Sequence, residues 1–180
     1  FTTILNQFSK AAQTQILRKI VAQSQGSATI SGLKGSSISM VLNAVFKDTD
    51  KPFMLVCNDK EEAAFHLNDL EKMIGEDKVL FYPGSYRRPY QIEETDNANV
   101  LLRAEVLNRI NSRKKPAVIV TYPDALFEKV VTRKELEKNT LKIAVGDQIS
   151  IEFANEVLFE YKFKRVDFVT DPGEFSVRGG

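Results

Sequence analysis

The sequence is poor in reactive side chains and in net charge. Cys57 and His66 are each the only residue of their type, and 25 Lys and Arg stand against 24 Asp and Glu, leaving +1. A single thiol excludes an internal disulfide framework and suits a reducing compartment. Without a charge excess there is no strong electrostatic pull toward nucleic acid or membrane. No stretch approaches the roughly 18 consecutive apolar residues of a membrane span. The opening residues lack the basic flank and apolar core of a secretory leader. Together these absences predict a cytoplasmic protein with no membrane partner. No pair of carboxylates is placed by a motif for acid–base work. His66 reads as a solvated or core-edge histidine in mid-helix, and Cys57 as an inert core thiol at a strand end. No metal, cofactor or catalytic residue is therefore expected. The chain opens at Phe1 and closes on "SVRGG" inside a strand-like pattern, as an excised piece of a longer protein would.

What the chain does have is an alternation of strands and helices. Residues 1 to about 25 read as helical, with Ile16, Leu17, Ile20 and Val21 on one face. "ATISGL", "PFMLVCN", "KVLFYP" and "AVIVTY" read as four strands. Helices separate them at residues 36–46, 58–74 and 97–113. The second has Asn58 as its cap with Glu61 three residues on, an apolar stripe of Ala63, Ala64, Leu67, Leu70 and Ile74, and Gly75 at its end. The third carries Val100, Leu101, Ala104, Leu107 and Ile110 at helical spacing. Continuous apolar strands alternating with amphipathic helices predict a parallel sheet covered on both faces. After about Val130 the pattern changes. Thr132 to Glu135 is a second capping box, "TLKIAVGD" a strand, and Ser150 the cap of a helix with Ala154, Val157, Leu158 and Tyr161 on one side. "KRVDFVTDPGEFSVRG" reads as two strands joined at Asp171-Pro172-Gly173. The predicted layout is an α/β domain at 1–130 followed by a small α+β domain at 131–180.

"SGLKGSSISM" lies where a strand would hand over to a helix. It nearly fits the phosphate-binding template G-x-x-x-x-G-K-[ST]. On that template Gly32 is the first glycine and Ser39 the final hydroxyl. Ser37 replaces the second glycine and Ile38 replaces the lysine, with Gly35 and Ser36 between. The lysine should reach the β- and γ-phosphates and the hydroxyl should hold magnesium. Isoleucine brings no charge, and Lys34 lies at the wrong place in the loop to substitute. The expectation is a strand-to-helix turn with at most a weak anion site at the amides of Gly35 to Ser37.

"GLKGSSIS", "VLFYPGSYRRPY", "VIVTYPDAL", "LKIAVGDQIS" and above all "YKFKRVDFVTDPGEFSVRGG" resemble the N-terminal region of the bacterial transcription-repair coupling factors. That region is itself similar to the first domains of UvrB, the helicase-like subunit of the excision-repair nuclease. The resemblance runs from about Ile30 to Gly180. It implies a degenerate P-loop, RecA-like domain in which Gly32, Gly35, Ser36, Ser37, Ile38 and Ser39 do not bind ATP. The ATP-dependent DNA translocase motor would lie elsewhere in the parent protein, whose partners include RNA polymerase and DNA. The short connection from Tyr90 to Asn97 leaves no room for the long DNA-clamping hairpin of UvrB. The small second domain then implies a docking surface for UvrA. Arg178 stands at the family's UvrA-contacting arginine, flanked by Glu174, Phe175, Lys164, Arg165 and Asp167. The implied function is non-catalytic recruitment of UvrA to stalled transcription. A residual nucleotide-binding domain and a DNA-binding UvrB-like module are the alternatives. "NSRKKP" at Asn111 to Pro116 reads as a solvated last helical turn. Arg87 and Arg88 depart from the family pattern and receive no role.

Overall fold

The computed structural model describes residues 2–23, 25–86, 96–112, 115–130, 132–138 and 140–178. The chain divides into two compact units, Phe1–Gly84 with Leu102–Phe127, and Ser85–Leu101 with Glu128–Gly180.

The first unit is α/β. Its sheet has three parallel strands, β1 (Phe53–Val56), β2 (Val79–Tyr82) and β3 (Val118–Thr121), in the order β1-β3-β2. Val118 pairs with Phe53 on one side and Val79 on the other. The central strand is buried at all four positions, as an uninterrupted Val-Ile-Val run requires. "PFMLVCN" also reads as a buried run, but β1 is an edge strand whose burial alternates. Met54 and Val56 are about half exposed. No ladder forms in "ATISGL" among the described residues, so the expected fourth strand is absent. Residues 28–32 are exposed, and a strand exists only where a neighbour takes its hydrogen bonds.

The expected helical segment forms as α1 (Thr2–Lys10) and α2 (Ala12–Ala22), separated where Ala11 turns extended at φ −58°, ψ 138°. Arg18 bridges the corner, donating to the Ser9 carbonyl and hydroxyl and to the Ala44 carbonyl of α3 (Ser37–Phe46). Helix α4 (Lys60–Ile74) is capped one residue later than its sequence suggests. Asp59 accepts from the Glu62 amide at 2.8 Å, and Glu62 reaches back to the Asn58 amide at 2.7 Å. Gly75, at φ 109°, ends the helix in a conformation that side chains avoid. Ala63 and Leu70 face the core as expected, but Ala64 is exposed and His66 takes the buried place. Helix α5 (Asn97–Ser112) is also rotated from its expected face. Val100, Leu101 and Ile110 are exposed, while Arg103 and Val106 are buried. Arg103 earns that position by donating to the Pro83 and Ala125 carbonyls at 2.7 and 2.9 Å and lying over the Tyr82 ring. Short helix α6 (Pro123–Phe127) completes this unit.

The second unit carries α7 (Arg133–Lys138), α8 (Ile151–Glu160), β4 (Lys164–Arg165) and β5 (Glu174–Phe175). Thr132 and Glu135 form the expected reciprocal box. Ser150 caps α8 by accepting from the Phe153 amide at 3.1 Å. Ala154, Val157, Leu158 and Tyr161 form its half-buried side. Glu128 binds the Ser85 amide and hydroxyl, and Asn97 donates to the Pro172 carbonyl, which ties Ser85 and the start of α5 into this unit. One expectation fails here. "TLKIAVGD" forms no strand: Leu141, Ile143 and Val145 are exposed, and Asp147 closes a turn on Ala144. The Asp171–Gly173 turn exists, with Gly173 at φ 91°, yet β4 and β5 pair in parallel and not as a hairpin. The chain from 166 to 173 loops over before β5 begins, so both strands run the same way.

Candidate functional site

Two regions carry the residues singled out by the sequence. The first is the loop that opens α3. Gly32 and Gly35 hold φ 85° and 50°, the left-handed conformations that glycine allows at no steric cost. Ser37 binds the loop to itself: its Oγ accepts from the Lys34 amide and donates to the Lys34 carbonyl, both at 2.7 Å. The Ser37 and Ile38 amides donate to the carbonyls of Lys34 and Gly35. The amides of Lys34, Ser37 and Ile38 thus have internal acceptors. Ser39, the template's magnesium hydroxyl, is fully buried and joined to His66 Nδ1 at 2.8 Å. On its other side His66 Nε2 lies 3.9 Å from Glu62 Oε1. His66 is therefore not solvated. It lies between buried Ser39 of α3 and the partly exposed Glu62 carboxylate at the start of α4. Beside the loop, Phe8, Leu17, Ile30, Leu33 and Val41 line a hollow of about 250 Å³ with no charged side chain in its lining.

The second region is the closing block. Arg178 is exposed. Its Nη2 donates to the Asp167 carbonyl at 3.0 Å, and its guanidinium carbon lies 4.2 Å from the Phe168 ring centre. Ser176 Oγ donates to the same carbonyl at 3.0 Å. Lys164, Arg165 and Asp167 are exposed. Two of the flanking residues have partners within the unit. Phe175 is buried edge-on against Phe159, and Glu174 is turned back on its own loop. The Glu174 carboxylate accepts from the amides of Thr170 and Asp171 and the Thr170 hydroxyl. Those amide hydrogen bonds hold its pKa below the ordinary 4.5.

Sequence reasoning overlooked Phe168 and Val169, which are 72% and 54% exposed beside Arg178. Their signal was faint, because "VDFV" looks like any strand continuing past β4. It also overlooked the pairing of Ser39 with His66, which are 27 residues apart. Arg87, Arg88 and most of the connection from Tyr90 to Asn97 lie outside the described residues, as do residues 113–114 of "NSRKKP". Among the described residues, no three of His, Cys, Asp and Glu gather as metal ligands, and no helix is long and apolar enough to cross a membrane.

The chain is similar to transcription-repair-coupling factors. It is 30% identical to that of Bacillus subtilis over 152 residues, 84% of this chain and 13% of the relative. It is 26% identical to that of Rickettsia prowazekii over 140 residues, 77% of this chain and 12% of the relative. It is also 22% identical to UvrABC system protein B of Methanosarcina acetivorans over 184 residues, 94% of this chain and 28% of the relative. The chain thus spans about an eighth of the coupling factors it matches. No protein-family model matches it. The similarity relates the chain to DNA-repair proteins.

Proposed function

We propose, for a chain that resembles the N-terminal UvrB-like region of transcription-repair-coupling factors, that it is a non-catalytic docking module that recruits UvrA. Its parent would be an ATP-dependent translocase acting on DNA at stalled RNA polymerase in the cytoplasm, with the motor outside this chain. The first unit would be a degenerate P-loop, RecA-like domain. Ile38 in the lysine's place and Ser39 turned onto His66 support that half of the reading. A phosphate there would meet neither a cation at the template position nor a free hydroxyl.

The observation that carries the docking half is Arg178, an exposed guanidinium held by a backbone carbonyl and an aromatic face. Arginine's planar fork suits bidentate contact with a carboxylate, and a held fork loses little freedom on binding. Titration of UvrA with the chain and with Arg178→Glu tests the reading. The substitution should weaken binding by about 2 kcal/mol or more, the scale of an interface hot spot. The melting temperature should barely move, since exposed substitutions usually stay within about 0.5 kcal/mol. An intact complex with the folded variant would place the docking surface elsewhere.

A further inference from the structure

The second unit has an aromatic ring that its own core does not use. Buried Phe175 packs edge-on against half-exposed Phe159, with ring centres 5.3 Å apart. Phe168, on the same stretch of chain, is 72% exposed, with half-exposed Val169 beside it. Folding gains little from either. Together with Asp167, Ser176 and Arg178 they line one shallow depression. The Arg178 guanidinium lies over the face of Phe168 at 4.2 Å. Aromatic faces attract cations, and arginine most often takes that place.

We propose that Phe168 is a positioning and specificity-determining residue of the docking surface. Its ring fixes Arg178, and its uncovered remainder, with Val169, enters an apolar hollow on the partner that is rimmed by a carboxylate. This rests on the docking reading above and adds the chemistry of the partner's side. Arg178 has five N–H donors. Among the described residues their one acceptor is the Asp167 carbonyl, so the rest of the fork remains for the carboxylate. The Asp167 carbonyl and the Phe168 ring belong to adjacent residues. One short segment therefore fixes the guanidinium at two points. Within the segment Lys164 and Arg165 are balanced by Asp167, Asp171 and Glu174, so the carboxylate partner follows from the planar fork of Arg178 itself. An exposed aromatic beside an arginine is also the composition found at interface anchors.

The test is a double-mutant cycle read by titration with UvrA, using the chain, Phe168→Ala, Phe168→Tyr, Arg178→Ala and the double substitution. Phe168→Ala should weaken binding about tenfold or more, and Phe168→Tyr should stay near the original affinity because the ring face is kept. If the ring acts through Arg178, the double variant should be weaker than Arg178→Ala by clearly less than the loss from Phe168→Ala. Melting temperatures of all four should match the original chain. Failure of the unsubstituted chain to bind UvrA sinks the docking reading and this inference with it. Binding that survives Phe168→Ala, additive losses in the double variant, or a marked drop in the melting temperature of Phe168→Ala overturns this inference alone.

Discussion

Removing one oxygen, in Ser39→Ala, tests how the loop at α3 is built. Ser39 and His66 are 0% and 2% exposed, and their 2.8 Å hydrogen bond is Ser39's side-chain contact with α4. Alanine leaves His66 Nδ1 buried without that partner. An orphaned buried polar group costs about 1–3 kcal/mol, more than the net worth of the bond itself. For a chain of this size, 1 kcal/mol shifts the melting temperature by roughly 2–4 °C. A central loss of about 2 kcal/mol thus predicts a fall of roughly 4–8 °C. Replacing both partners, in Ser39→Ala with His66→Leu, should cost less than the sum of the single losses, because no polar group is then stranded. Urea unfolding followed by circular dichroism measures all three. The same samples with Mg·ATP examine the alternative role of the hydroxyl. A ligand at 100 times its Kd would add about 2.7 kcal/mol to the original chain. The reasoning is refuted if Ser39→Ala stays within about 0.5 kcal/mol of the original, or if Mg·ATP stabilises the original chain and not the variant.

Arg103→Met should destabilise the first unit by about 2–4 kcal/mol, since it strands the Pro83 and Ala125 carbonyls and removes two bonds from a charged donor; a urea midpoint close to the original would contradict the buried role. Burial, then Glu62 and Asp59, push the Cys57 thiol up to about 11 from its ordinary 9.0. The folded chain keeps this proton after the unfolded chain has lost it. The group's contribution to stability is therefore full below pH 9.0 and is lost as pH rises through about 11. The urea midpoint should fall across that window in the original chain more than in Cys57→Ala, and native Cys57 should alkylate far more slowly at pH 8 than the unfolded chain does. Equal rates would show the thiol to be accessible.

The sequence by itself determined the features whose causes lie within a few residues. Ser150 and the Thr132–Glu135 pair announce their helices because a cap needs only an oxygen three residues from an amide. Gly75 and the Asp171–Gly173 turn are legible for the same reason, as is the apolar run that became the central strand. The near-phosphate loop with its missing lysine, and Arg178 in the closing block, could also be named from sequence. Tertiary structure decided everything that depends on a distant neighbour. Whether "ATISGL" and "TLKIAVGD" become strands rests on partners for their backbone groups, and among the described residues neither has a ladder. Whether β1 is covered on one face or two, and whether β4 and β5 run together or opposed, is set by pairing and chain path. The rotation of α5 turned on Arg103, a charged residue that periodicity assigns to solvent. It is buried because two carbonyls and the Tyr82 ring receive its guanidinium. His66 went inward because Ser39 met it there, whereas Phe168, whose ring meets the exposed Arg178 guanidinium, stayed outside. Periodicity reports the average character of a face, whereas a buried polar group or an exposed ring is fixed by the individual atoms it meets.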